Sequence, residues 1–106
     1  MIHKGQLVGY IRVSSDDQNP ERQLEELEVH KTFIEYASGG TKNRPELHKL
    51  LGYVREGDTI IVHSLDRLAR NLDDLRSLVR DITARQITIK FIKENLTFSP
   101  DTTDLS

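Results

Sequence analysis

No cysteine occurs anywhere in the chain, which excludes disulfides, thiolate catalysis and cysteine-based zinc sites. The four histidines, His3, His30, His48 and His63, are dispersed and show no paired metal-ligand spacing, so no structural or catalytic metal and no cofactor is expected. Long uncharged apolar runs are also missing, and Met1-Ile2-His3-Lys4 does not open a signal peptide; a soluble cytoplasmic protein is expected. Positive charge is not in excess, because 15 Lys and Arg face 17 Asp and Glu for a formal net charge of -2. Non-specific nucleic-acid affinity comes mainly from neutralising phosphates over an extended basic surface, so the charge argues against a free-standing nucleic-acid binder and any such contact must be local or assisted. There is no internal repeat and no low-complexity tract. A length of 106 residues, 36% hydrophobic and 30% charged, suits one domain with a single modest core.

What is present is an alternation of short β-like and longer helix-like runs. Leu7–Val13 reads as a first strand, and Asn19-Pro20 as a helix start with Asn at the cap and Pro at the first helical position, followed by Leu24 and Leu27 on the buried side. Phe33–Tyr36 is a short second strand. Ala37–Asn43, with Gly39-Gly40 at its centre, is a polar loop. Pro45 opens a helix in which Leu47, Leu50, Leu51 and Val54 follow the i, i+3, i+4, i+7 rule until Gly57-Asp58. Thr59–His63 is the clearest strand. Leu72, Leu75, Leu78, Val79 and Ile82 then keep helical spacing to about Arg85, and Ile87–Ile92 is the last strand. The order βαβαβαβ implies an α/β domain of three layers around a central, mostly parallel sheet, flavodoxin-like in type. Residues 1–96 are expected to form this domain, with 97–106 a polar tail or linker lacking periodicity.

Two distant segments carry the candidate chemistry. Side chains of a strand repeat every two residues, so Tyr10, Arg12 and Ser14 project from one face at the exit of the first strand. Downstream, Ser64–Asn71 holds Asp66, Arg67 and Arg70, and the two arginines share a face if the segment is helical. Both segments lie beyond the carboxyl ends of strands, where open α/β sheets place their ligands. A serine hydroxyl is a weak nucleophile that needs a base or a positive environment. Arginine is always charged and offers a planar fork of donors matched to phosphate oxygens, so the grouping points to phosphate-ester chemistry at a serine. Arginines are poor proton acceptors, which leaves the general base open.

Each feature also has an ordinary explanation. Ser14-Ser15-Asp16-Asp17 has the composition of a strand-to-helix turn, Asp66 could be a structural cap, and Arg67 and Arg70 could be solvated charges paired with Asp66, Asp73 or Asp74. A Ser-His-Asp triad built on His63 lacks the G-x-S-x-G elbow, and Gly39-Gly40-Thr41-Lys42 lacks the G-x-x-x-x-G-K-[ST] pattern of a P-loop. Asp16-Asp17 could hold Mg²⁺ in a receiver-type phosphoaspartate module, although the third strand ends in His63 where such a module would carry its aspartate. A non-catalytic interaction domain is the third alternative; it requires no convergence of Ser14 with the arginine segment.

Taken together, Tyr10-Ile11-Arg12-Val13-Ser14, Asp17-Gln18-Asn19, Gln23, Tyr36-Ala37-Ser38-Gly39, Asn43-Arg44-Pro45, Glu56-Gly57-Asp58 and Leu65-Asp66-Arg67-Leu68-Ala69-Arg70 resemble the catalytic domain of the serine site-specific recombinases, the resolvase/invertase family. The resemblance runs in order across residues 7–96, and its Y-x-R-x-S and L-D-R-L-x-R elements are more specific together than apart.

The resemblance implies a DNA strand transferase. Ser14 would attack a backbone phosphate of duplex DNA to give a 5′-phosphoserine link and a free 3′ hydroxyl. Arg12, Arg67 and Arg70 would clamp the phosphate, with Asp66 positioning them. Gln23 would be a supporting polar residue, and Arg44 a further active-site arginine brought in by the loop that carries Ser38. Tyr10 would give structural support. Because the ester keeps the bond energy, neither metal nor ATP is implied. Resolution, inversion and transposition of a mobile element all fit the resemblance.

Two positions depart from the family pattern: Tyr53 stands where several relatives carry lysine, and Glu35 where aspartate is frequent. The family's long dimerisation helix and helix-turn-helix domain have no counterpart within these 106 residues. Family members work as homodimers and tetramers on DNA; the 106-residue chain by itself is expected to be monomeric or weakly associated, and unable to cut or exchange DNA.

Overall fold

The computed structural model describes residues 5–13, 29–36, 44–69 and 71–100. Its elements are β1 (Leu7–Val13), β2 (Lys31–Tyr36), α1 (Pro45–Tyr53), β3 (Thr59–Val62), α2 (Leu65–Leu68), α3 (Leu72–Ala84), β4 (Thr88–Phe91) and β5 (Leu96–Phe98). The strands form one sheet in the order β2-β1-β3-β4-β5. The first four are parallel, and β5 runs antiparallel to β4. This is the strand order of a flavodoxin-like sheet with its last strand reversed.

Register explains why these runs become strands. Tyr10 stands between Phe33 of β2 and Val62 of β3, so β1 is interior and its near-continuous apolar sequence is buried on both faces. One face packs Val8, Tyr10, Phe33, Ile60, Val62, Ile89 and Phe91 against Leu47, Leu50 and Val54 at α1, Leu68 of α2, and Val79 and Ile82 of α3. The other carries Ile11, Val13 and Ile61, with Leu7, Val29, Ile34 and Ile92 around them. At the amino-terminal edge, buried Asp58 accepts from the backbone N–H of Gln6 (2.9 Å) and of Arg55 (2.8 Å), which ties the entrance of β1 to that of β3. Backbone approaches so closely here that a Cβ on Gly5 would fall on the carbonyl of Gly57, itself at φ 95°.

The helix expected from Leu72 to about Arg85 is α3, a condition stated from sequence is not met, and one expectation is corrected. Ahead of α3 stands a separate short helix, because α2 stops at Leu68 and Ala69 is extended (φ -134°, ψ 153°). Asn71 then starts α3 afresh by accepting the Asp74 N–H on its side chain at 2.8 Å. The condition under which Arg67 and Arg70 would share a helical face is therefore not met. Thr97 and Phe98, expected in a polar tail, belong instead to the sheet. Asn95, in the left-handed region at φ 55°, reverses the chain, and the Phe98 ring packs edge-on against Phe91 with centroids 6.2 Å apart. A strand of three residues shows too little alternation to be recognised from sequence. The helix expected from Asn19-Pro20 and the loop Ala37–Asn43 lie outside the described residues.

Candidate active site

The described candidate residues gather at the carboxyl ends of the parallel strands. Tyr10 and Arg12 occupy alternate positions near the end of β1, with the Tyr10 ring fully buried in the core and Arg12 half-buried beyond it. The Tyr10 hydroxyl donates to Glu35 Oε1 at 3.3 Å. Burial, and then the neighbouring Glu35 carboxylate, push the Tyr10 phenol well above its ordinary range, while the Arg44 and Arg12 guanidinium groups act against this. Tyr10 therefore remains a neutral donor. Through that bond it ties β1 to β2.

Glu35, almost wholly buried, does more than accept from Tyr10. Its Oε1 also takes the backbone N–H of Glu46 and of Leu47, each at 3.1 Å. Arg44, the residue before α1, makes no side-chain cap of its own, so a carboxylate from β2 caps this helix from a distance. The sequence carried a signal for this role: a charged residue at an inward position of a strand, two after Phe33.

Arg44 is thereby placed at the start of α1 and reaches α2 and α3. Its Nη1 donates to the carbonyl of Leu68 and its Nη2 pairs with Asp74 Oδ2 at 2.9 Å. Asp74 is thus the partner of Arg44, not of Arg67. The α2 helix is pinned at its other end as well, since Glu94 Oε1 accepts the Leu65 N–H at 3.2 Å and the Lys93 N–H bonds to the His63 carbonyl at 2.8 Å. One helical turn does not hold itself, so these ties fix its direction.

So directed, α2 sends Arg67 across to β1, where its Nη1 donates to the carbonyl of Arg12 at 3.1 Å. Asp66, on the exposed side, accepts from the Ser64 hydroxyl at 2.6 Å. That bond, with smaller contributions from a backbone N–H and then from Arg67 and Lys93, holds its carboxyl below the ordinary carboxylate range against the opposing effect of burial. Among the described residues no ion pair joins Asp66 to an arginine. The Ser64 hydroxyl is thus committed to Asp66, while His63 Nδ1 is buried without a hydrogen-bond partner, so no triad forms from these residues.

The structure therefore brings together Tyr10, Arg12, Arg44, Asp66 and Arg67 from three separate stretches of sequence, and adds Glu35 and Asp74 to them. Ser14, Gln23, Ser38 and Arg70 lie outside the described residues, as does Asp16-Asp17. Ser14 follows in sequence two residues after the carbonyl that Arg67 grips. Among the described residues no group of three His, Cys, Asp or Glu could hold a metal ion, and no helix is long and apolar enough to cross a membrane.

The family model for the resolvase N-terminal domain matches residues 7–106. The chain belongs to the resolvase family. It is 59% identical over 96 residues to the transposon Tn501 resolvase of Pseudomonas aeruginosa, covering 91% of this chain and 52% of that protein. The Tn552 DNA-invertase BinR of Staphylococcus aureus is 39% identical over 93 residues, covering 85% of this chain and 48% of the relative. This resolvase-family chain thus spans about half the length of the curated relatives it matches. A resolvase-family site-specific recombinase from Streptococcus pneumoniae shares the fold, with a TM-score of 0.67 at 17% identity over 89% of this chain and 76% of that one. The C-terminal catalytic domain of ISC1926 TnpA, an IS607-like serine recombinase, superposes with a TM-score of 0.65 at 25% identity, over 81% of this chain and 67% of that one.

Proposed function

We propose that this domain supplies the chemistry of a serine site-specific recombinase, cutting and rejoining duplex DNA through Ser14. The hydroxyl oxygen of Ser14 forms a bond to phosphorus and the bond from phosphorus to the 3′ oxygen breaks. The 3′ oxygen leaves as a hydroxyl and the 5′ phosphate remains on the serine. Attack by a 3′ hydroxyl of another strand reverses these bonds and releases Ser14, so the exchange uses neither ATP nor metal. Arg12, Arg67 and Arg70 face charge that builds on the phosphoryl oxygens in the five-coordinate transition state, the place where preorganised donors contribute most. Asp66, Gln23, Arg44 and Ser38 support that cluster.

The observation that carries this reading is the Arg67–Arg12 contact, which joins the L-D-R-L-x-R segment to the strand that leads into Ser14. A receiver-type module would need a carboxylate after β3, where this chain has His63. Duplex DNA at a recombination site is the proposed partner, in the cytoplasm, with dimers and tetramers assembled through the half of the protein that lies beyond this domain in its relatives.

The test grafts this chain in place of the matched half of the Tn501 resolvase and assays strand cleavage on plasmid carrying that protein's site. Cleavage is expected, and Ser14→Ala should abolish it while DNA binding persists. Undiminished cleavage by the Ser14→Ala graft would overturn the proposal.

A further inference from the structure

Arg44 raises a question that its expected role does not answer. Two of the guanidinium nitrogens of Arg44 are tied to the protein itself, Nη1 to the Leu68 carbonyl and Nη2 to Asp74. The two acceptors belong to different helices on either side of the break at Ala69. A planar fork can bridge two such acceptors at once, and a lysine cannot. The pair is sheltered, with side-chain exposures of 14% for Arg44 and 32% for Asp74, so it is less screened than a fully exposed ion pair.

Asp74 is itself held firmly. Its backbone N–H goes to the Asn71 side chain at 2.8 Å, and it lies in the first turn of α3, where the helix end favours a negative charge. The other acceptor, Leu68, is the last residue of α2, and its carbonyl lacks a continuing helix to pair with. Leu68 is also the neighbour of Arg67, whose guanidinium rests on the Arg12 carbonyl. A chain of polar contacts thus runs from Asp74 through Arg44 to the end of α2, and from Arg67 to the end of β1.

We infer that Asp74 is a positioning residue for the proposed reaction: by holding Arg44 against the Leu68 carbonyl it sets the direction of α2 and hence the place of Arg67. The inference rests on the recombinase reading. It assigns Arg44 a scaffold role in the arginine cluster.

The test uses the same graft in single-turnover cleavage at saturating enzyme, with binding to DNA measured separately. Asp74→Asn, which keeps shape and removes charge, should slow cleavage roughly tenfold, within the range shown by coupled neighbouring residues, and leave binding unchanged. Asp74→Glu should recover part of the rate. Arg44→Ala/Asp74→Ala should cleave no more slowly than Arg44→Ala. A rate loss in the double variant equal to the product of the two single losses would overturn the inference, as would full activity of Asp74→Asn beside a crippled Arg44→Ala. In the 106-residue chain alone, guanidinium NMR gives a readout independent of activity: Asp74→Asn should shift the Arg67 signals as well as those of Arg44, and an unmoved Arg67 would contradict the relay. If the unsubstituted graft fails to cleave, the recombinase reading falls; if it cleaves and Asp74→Asn cleaves equally well, the inference alone falls.

Discussion

Arg67 Nη1 donates to the backbone carbonyl of Arg12 at 3.1 Å, joining positions 55 apart in sequence. Because β1 and β3 are adjacent parallel strands, the turn leaving β3 passes over the end of β1, and α2 is short enough to present Arg67 there. The contact uses a carbonyl that has no side-chain identity, so it survives most substitutions at position 12. It leaves the rest of the guanidinium fork available to a phosphate.

Removing that fork should affect chemistry more than folding. Arg67→Ala in the graft is expected to slow strand cleavage by about 10²–10³, the effect of losing one preorganised donor to a charged transition state. Arg67→Lys should also be defective, since a point charge replaces a fork. Single-turnover cleavage rates check both, and a wild-type rate for either would contradict the role given to Arg67.

Glu35 governs stability before it governs activity. Glu35→Ala removes the acceptor for the Tyr10 hydroxyl and for two α1 N–H groups, all in part-buried or buried surroundings. A loss of about 1–3 kcal/mol is expected from the stranded donors, read by urea denaturation of the 106-residue chain. Tyr10→Phe should cost less and add little to Glu35→Ala, because the two share one bond.

The Ser64–Asp66 hydrogen bond gives a pH signature. Asp66 titrates below its ordinary range in the folded chain, so its bond stabilises the fold above the unfolded carboxylate value of about 3.9 and is lost as pH falls through the lower folded value. Ser64→Ala removes the first cause of the shift and should raise the Asp66 midpoint toward the ordinary one. Carboxyl-carbon NMR titration reads this directly; an unchanged midpoint would contradict the leading role given to the Ser64 hydroxyl.

Much of the fold was legible because alternation and helical spacing were strong. Leu7–Val13 and Thr59–Val62 stand as strands where their apolar runs placed them, and Pro45 marks the start of α1. The break at Ala69 was not legible, since leucine spacing on both sides of it is helical and the cause is a side-chain cap at Asn71. The extra strand Leu96–Phe98 was hidden for a similar reason: it depends on pairing with β4. In the site, Arg12 and Arg67 could be expected to converge from strand-end logic, whereas the partnership of Arg44 with Asp74 depends on the angle between helices that no spacing rule encodes. Glu35 announced itself only as a charge on an inward face, without indicating that it caps a helix on another element.

The central claim is that Ser14 becomes covalently joined to DNA. Trapping the graft on a site whose cleaved strand cannot be rejoined, digesting the protein and measuring peptide mass should find the nucleotide 5′ phosphate on the peptide containing Ser14. An adduct on any other residue, or cleavage with no adduct at all, would contradict it.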